Sequence, residues 1–154
     1  MKKLVSSGFT LIELLVVIGI LAILLAITLI AINPARQFQQ SNDTKRSSDI
    51  NAILNAINQY MADNQGSLPT GITDTAQIIQ ATTFNDLCTA IVPLYIAALP
   101  VDPLTNNGTP VQATDCTGST WNTGYTVQQV GGAGSRLTIA APDAEIQATI
   151  EVTR

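Results

Sequence analysis

The fold of this chain is decided by residues 8–32, GFTLIELLVVIGILAILLAITLIAI. From Leu14 to the end of this run, only Gly19 and Thr28 are not apolar. As a helix the apolar part would be about 28 Å long, close to the thickness of the hydrocarbon core of a bilayer. Glu13 lies inside the apolar block. A carboxylate there costs about 3 kcal/mol, so we expect it to have a partner.

Two ordinary explanations of a basic and then apolar N-terminus fit this stretch poorly. A secretory signal has an apolar region of about 7 to 15 residues, followed by a small-residue cleavage site. Here the apolar region is longer, Asn33-Pro34 closes it, and the small residue Gly8 precedes it. A plain signal anchor would explain the length and the two N-terminal lysines. It would explain neither the position of Gly8 nor Glu13.

Residues 8–20, GFTLIELLVVIGI, resemble the leader junction of type IV prepilins and type II secretion pseudopilins. The resemblance implies that a membrane-embedded prepilin peptidase cuts between Gly8 and Phe9, and that Phe9 is then N-methylated. It also implies that Glu13 pairs, inside a filament, with the freed α-amino group of Phe9 on a neighbouring copy. The physical requirement agrees, because Glu13 needs a cation and cleavage creates one nearby.

The family resemblance implies an α+β, pilin-like fold. A long N-terminal helix would span the membrane with its first half and pack its second half on a small C-terminal antiparallel β-meander. One or two short helices would lie between them. The expected boundaries are a cleaved leader at 1–8, a transmembrane and assembly helix at 9–32, a helical continuation at 33–64 and a globular head at 65–154.

Pro34 lies within the expected long helix. Proline removes one helical hydrogen bond and clashes with the preceding turn, so the helix either ends there or kinks and continues. Family members have one long N-terminal helix, sometimes kinked at a proline, which favours the kink.

The second half of the helix carries an apolar stripe that can seat the head. Its residues fall at helical spacing and are Ile50, Ile53, Leu54, Ile57, Tyr60 and Met61. Asn64-Gln65-Gly66 should end this helix. Short helices are expected around 75–81 and at 93–99, where Pro93 suits the first helical position.

The last part of the chain predicts a three-stranded meander. Alternating or β-branched segments at 125–130, 136–141 and 145–152 are separated by turn residues at 131–135 and 142–143. One face of this antiparallel sheet would pack on the apolar stripe, and the other would face solvent.

Composition argues against several functions. Charged residues are 12% of the chain, its net charge is −4, and it has no histidine. So acidic a chain offers no surface for tracking phosphates, and we expect no nucleic-acid partner. Without histidine, a catalytic pair of acids or a phosphate loop, the sequence predicts neither an enzyme nor a cofactor.

The two cysteines, Cys88 and Cys116, are too few for a structural zinc site in a chain that lacks histidine. In an exported domain two cysteines favour a disulfide, and many pilins carry one in this region. Two buried free thiols are the alternative.

A long loop is expected at 100–120. The run at 99–103, LPVDP, is similar to a segment of major pseudopilins whose following loop holds calcium. Candidate oxygen ligands here are Asp102, Asn106, Asn107 and Asp115. Their spacing matches no fixed calcium motif, and turn formation explains the same residue types, so the sequence predicts no metal.

Together these features predict the structural subunit of a type IV pilin-like filament. Its partners would be other copies of itself, the prepilin peptidase, an inner-membrane assembly platform and the membrane. It would be a single-pass protein of the inner (cytoplasmic) membrane before assembly and part of a cell-surface filament afterwards. The alternatives are a major pseudopilin of type II secretion, a minor adhesive pilin and a membrane-anchored binding module.

Overall fold

The computed structural model describes residues 8–131 and 136–154. The chain divides into two compact units, one reaching to Phe38 and the other running from Gln39 to Arg154. Elements in chain order are α1 (Leu11–Ile32), α2 (Pro34–Asp63), β1 (Gln77–Gln80), α3 (Ala81–Ile91), a 3₁₀ turn (Asn106–Gly108), β2 (Asn122–Val130), β3 (Arg136–Ala141) and β4 (Ile150–Thr153). This is the α+β architecture that the sequence predicts.

Asn33 separates α1 from α2. It adopts the left-handed conformation, with φ 45° and ψ 79°, which asparagine tolerates better than most residues. Pro34 is then the first residue of α2, where its missing N–H would have no helical partner in any case. The helix is therefore interrupted at one residue and resumes directly after it.

The part of α2 that belongs to the second unit buries one stripe. Ile50, Ile53, Leu54, Ala56 and Ile57 are buried at the spacing of one helix face. The helix ends at Asp63, and the N–H of Gly66 donates back to the carbonyl of Met61 at 2.8 Å. Gly66 has a φ of 81°, the left-handed conformation that closes a helix and that glycine adopts without strain.

The sheet has four strands in the order β1-β2-β3-β4, and every neighbouring pair is antiparallel. Val127 of β2 lies opposite Ile139 of β3, which lies opposite Val152 of β4. Along β3, buried and less buried residues alternate as in a sheet with one covered face. The predicted meander of β2, β3 and β4 is confirmed. The predicted turn at 131–135 lies, apart from Gly131, outside the described residues.

One hydrophobic core joins the helices to the sheet. It contains the α2 stripe, residues of α3 such as Phe84 and Leu87, and inward residues of the strands such as Tyr125, Leu137 and Ile139, all nearly or fully buried. Tyr60 and Met61 pack at its edge. The expected packing of the sheet on the helical stripe is what the structure has.

Two predicted short helices are wrong. Residues 77–80 form strand β1 because Gln77 and Ile78 pair with β2 and Ile79 is fully buried, and α3 starts only at Ala81. Residues 93–99 do not form a helix of their own, and the helix that precedes them, α3, ends at Ile91. The N–H groups of Tyr95 and Ile96 fold back onto the carbonyl of Ile91.

The predicted third strand begins too early. Strand β4 starts at Ile150, not at residue 145. The backbone N–H groups of Glu145, Ile146 and Gln147 instead donate to the carboxylate of Asp43, at 2.8 to 3.3 Å. Because these donors are engaged by a side chain, the segment is a loop around Asp43.

Candidate processing and assembly site

Thr10 and Glu13 form a capping box at the start of α1. The Thr10 hydroxyl oxygen accepts from the N–H of Glu13 at 3.3 Å, and Glu13 Oε2 accepts from the Thr10 N–H at 2.8 Å. The Thr10 hydroxyl also donates to Oε2 at 2.7 Å. These bonds satisfy N–H groups at the start of the helix that have no helical acceptor. The donors are all neutral, and no cation among the described residues forms an ion pair with Glu13.

The peptide bond between Gly8 and Phe9 lies just before the cap. Residues 8–10 are not helical, and the Phe9 side chain is 85% exposed. Among the described residues, no atom of a non-neighbouring residue lies within 4 Å of the position a Cβ on Gly8 would take. An exposed segment outside regular structure is the kind of site that proteases cut. The other residues of the predicted leader, 1–7, lie outside the described residues.

Helix α1 is apolar on all sides and covered on none. This helix of 22 residues is long and apolar enough to cross a membrane, and none of its residues is buried. The hydroxyl of Thr28 donates to the Leu25 carbonyl at 2.9 Å, so this polar side chain is satisfied within the helix. A helix that is hydrophobic all round needs a membrane or other apolar surfaces around it.

Residues 4–29 match the family model described as "Prokaryotic N-terminal methylation motif". This motif is the hallmark of the prepilin-type signal of type IV pilins and pseudopilins, so the resemblance seen at residues 8–20 is confirmed. No curated protein and no solved structure matches the chain significantly. The N-terminal motif supports a pilin- or pseudopilin-like precursor and implies processing by prepilin peptidase, and the apolar helix fits membrane anchoring.

The head contains an ion cluster that sequence reasoning missed. Arg46 of α2 is fully buried, and its guanidinium contacts three carboxylates. Its Nη1 lies 2.8 Å from Asp43 and 3.1 Å from Glu145, while Nε and Nη2 bind both oxygens of Asp102 at 2.5 and 3.1 Å. The cluster therefore fastens α2 to two loops that are distant in sequence.

Two members of this cluster, Arg46 and Asp43, have pKa values shifted in favour of their charged forms. The hydrogen bonds of Asp102 and Asp43 raise the pKa of Arg46 above its usual value, against the opposing effect of burial. Burial would raise the pKa of Asp43, but the backbone N–H groups of the 145–147 loop and the guanidinium lower it to about 2. Paired and hydrogen-bonded charges of this kind can be buried without being neutralised.

A regular spacing could have revealed Arg46. Counting back along α2 from the apolar stripe at Ile50 and Ile53, Arg46 and Asp43 fall at the same three- and four-residue steps. They therefore lie on the buried face. The spacing alone did not suggest burial of these two residues, because charged side chains are rarely buried in proteins unless they are paired.

A second buried polar contact links α2 to the sheet. The hydroxyl of Tyr125 on β2 donates to Asp49 Oδ2 at 2.8 Å. Burial raises the pKa of Tyr125 and, by itself, also raises the pKa of Asp49. The hydrogen bond thus satisfies a phenol that would otherwise be an unpaired group in the core.

One of the four candidate calcium ligands, Asp102, is engaged by other groups. Asp102 is fully buried, with both carboxylate oxygens on Arg46 and a further bond to Oδ1 from the Leu104 N–H at 2.9 Å. Asn106 and Asp115 line a surface pocket of about 700 Å³, whose lining includes neither Asp102 nor Asn107. Among the described residues, no three acidic, cysteine or histidine side chains lie where they could hold one metal ion together.

The expected disulfide is present. Cys88 of α3 and Cys116 are bonded, with their Cα atoms 5.3 Å apart, and both side chains are fully buried. Cys116 lies in the loop between the 3₁₀ turn and β2. The bond therefore attaches a loop with little regular structure to the hydrophobic core.

Proposed function

We propose that this protein is the structural subunit of a helical filament outside the cell. Prepilin peptidase cuts its leader between Gly8 and Phe9, Phe9 is N-methylated, and an inner-membrane platform moves the subunit from the membrane into the fibre. Copies add by a heterologous contact, which repeats without closing and so makes a fibre rather than a ring.

The observation that carries this proposal is the bare apolar surface of α1. No residue of this helix is buried, although nearly all of its side chains are apolar. The membrane covers that surface before assembly, and the helices of other copies cover it afterwards. Moving α1 from lipid into a bundle of other α1 helices exchanges one apolar surrounding for another, so the hydrophobic effect changes little. Polar contacts therefore decide how neighbouring helices align along their axes.

Glu13 supplies the polar contact in this proposal. Within residues 8–131 and 136–154 the carboxylate receives only neutral donors, and these come from Thr10. Cleavage frees the Phe9 amine, which is positively charged at neutral pH and stays so after methylation. The amine of one copy then neutralises Glu13 of the next copy, and this pairing sets how the helices align.

Mass spectrometry of the mature N-terminus tests the proposal directly. Protein purified from cells that make the processing peptidase should begin at Phe9 and carry one added methyl group. The same preparation should contain fibres in electron micrographs. A chain that still starts at Met1 would instead indicate a membrane-anchored binding module.

Variants of Glu13 separate its charge from its role as a cap. Glu13→Gln keeps an oxygen that can accept from Thr10 and removes only the charge, so we expect a processed, membrane-inserted protein that forms no fibres. Thr10→Ala is the matched control, because it weakens the cap by about 1 kcal/mol and keeps the charge. If Thr10→Ala stops assembly and Glu13→Gln does not, the pairing role is refuted.

Fibre length and abundance separate the remaining alternatives. A pilin would form long surface fibres, whereas a major pseudopilin of type II secretion would form short ones confined to the envelope. A minor adhesive pilin would be scarce in purified fibres that consist mainly of another subunit.

A further inference from the structure

Arg36 of α2 is a cation that forms no ion pair in the part of the chain that the structure describes. The residue is exposed. In the sequence it is the only charged residue between Glu13 and Asp43. The first turns of α2 therefore carry one positive charge, that of Arg36.

The head has the opposite charge. Residues 39–154 contain four basic and ten acidic side chains, a net charge of −6. Its exposed carboxylates that form no ion pair within the described residues are Asp63, Asp74, Asp86, Asp115, Asp143 and Glu151. Such heads repel one another when they are brought together, unless cations lie between them.

We propose that Arg36 of one copy docks against the acidic head surface of a neighbouring copy. This inference rests on the proposed function, since it needs copies that pack side by side. Arginine is suited to the contact because its planar fork can bind a carboxylate through two parallel hydrogen bonds. The pairing offsets the mutual repulsion of the heads and fixes which head lies beside which helix.

Charge-swap variants of the full chain, made in cells that process it, test the proposal. Arg36→Glu should lower the amount of fibre in the sheared-cell fraction by about tenfold or more, since a like charge now faces the acidic surface. Processing at Phe9 and membrane insertion should stay unchanged. In the Arg36→Glu background, changing the six exposed head carboxylates to lysine one at a time should identify at least one variant that restores fibres.

Arg136→Gln is the matched control for net charge. Arg136 is also exposed and forms no ion pair in the described residues, so Arg36→Gln and Arg136→Gln each remove one exposed positive charge. Only Arg36→Gln should reduce assembly. Equal losses from both variants would mean that bulk charge matters and would overturn the proposal.

Three further results would overturn the pairing. They are normal fibres from Arg36→Glu, no rescue by any of the six head variants, and a lipid role for Arg36. The last would appear as weaker flotation of the Arg36→Glu precursor with vesicles of phosphatidylcholine and phosphatidylglycerol. If the unaltered chain is processed but never forms fibres, the proposed function fails as well, which distinguishes that outcome from a failure of Arg36 alone.

Discussion

Arg46 joins three separate segments of the head through its buried side chain. A buried guanidinium loses its hydration, and only good geometry with several carboxylates compensates for that loss. Here Asp43, Asp102 and Glu145 supply it from three separate segments of the chain. Removing the cation would leave three acidic groups close together and mostly shielded from water.

We expect Arg46→Met to destabilise the head by about 3 to 5 kcal/mol, because it leaves buried carboxylates without a counter-charge. Chemical denaturation of the detergent-solubilised full chain would measure the loss. Lys45→Met is the control, since Lys45 is half exposed and its pair with Asp49, at 3.8 Å, is worth less than about 1 kcal/mol. Equal effects from the two variants would contradict a special role for Arg46.

The low pKa of Asp43 makes the stability of the head depend on pH. Its carboxyl has a pKa of about 2 in the folded chain and about 3.8 otherwise. Stability from this group is therefore fully present above pH 4 and is lost as the pH falls towards 2, by about 2 kcal/mol. Burial raises the pKa of Asp49, which gives a smaller change of opposite sign.

Unfolding free energies measured between pH 5 and pH 2 check this expectation. The unaltered chain should lose stability over that range, whereas Asp43→Asn should start less stable and show a flatter curve. Asp143→Asn removes one exposed carboxylate and serves as the control for net charge. A curve for Asp43→Asn that runs parallel to that of the unaltered chain would contradict the assignment.

Single residues were predictable from sequence where they broke a pattern. Glu13 is conspicuous because it is one charge in an apolar run, and a motif model matches the region around it. Arg46 lies in a polar stretch, where another charge attracts no notice. Its burial depends on Asp102 and Glu145, which come from parts of the chain that sequence spacing cannot place beside it.

At the scale of elements, local signals predicted some parts and long-range contacts decided others. Strand β3 has the predicted bounds because its alternating pattern is local. Strand β1 has four residues and exists through its pairing with β2, about 45 residues later in the sequence, so its own pattern was a poor guide. The start of β4 was predicted too early because the backbone N–H groups of residues 145–147 donate to the Asp43 carboxylate and not to a neighbouring strand.

The disulfide gives an expectation for one element, the loop from residue 99 to residue 121. Replacing both Cys88 and Cys116 with alanine should destabilise the head by about 3 to 4 kcal/mol on the chain-entropy model. Amide hydrogen exchange should quicken most in residues 106–118, which have little regular structure, and least in β2 and β3. Uniform quickening across the head would contradict a local effect.

Considered whole, the molecule has two units suited to different surroundings. The unit that reaches to Phe38 has no buried residue in α1, whereas the unit from Gln39 onward contains the hydrophobic core. Stability of the second unit should therefore not depend on the first, because every residue of the core belongs to the second unit.

We expect a chain that starts at Pro34 to be soluble, monomeric and folded. Its thermal midpoint should match that of the second unit in the detergent-solubilised full chain, and it should unfold in one cooperative step. Sedimentation and calorimetry would measure both properties. An aggregated or unfolded product would show that residues before Pro34 contribute to folding of the head.

The edge strands of the sheet limit how readily one head can pair with the sheet of another when many heads are close together. Both outer strands, β1 and β4, have four residues, and the pairing of β1 shifts between Ile78 and Gln80. So short and uneven a margin presents few consecutive backbone groups to which a foreign strand could add. We therefore expect heads held at high local concentration, as in the proposed filament, to resist fusing into amyloid-like stacks.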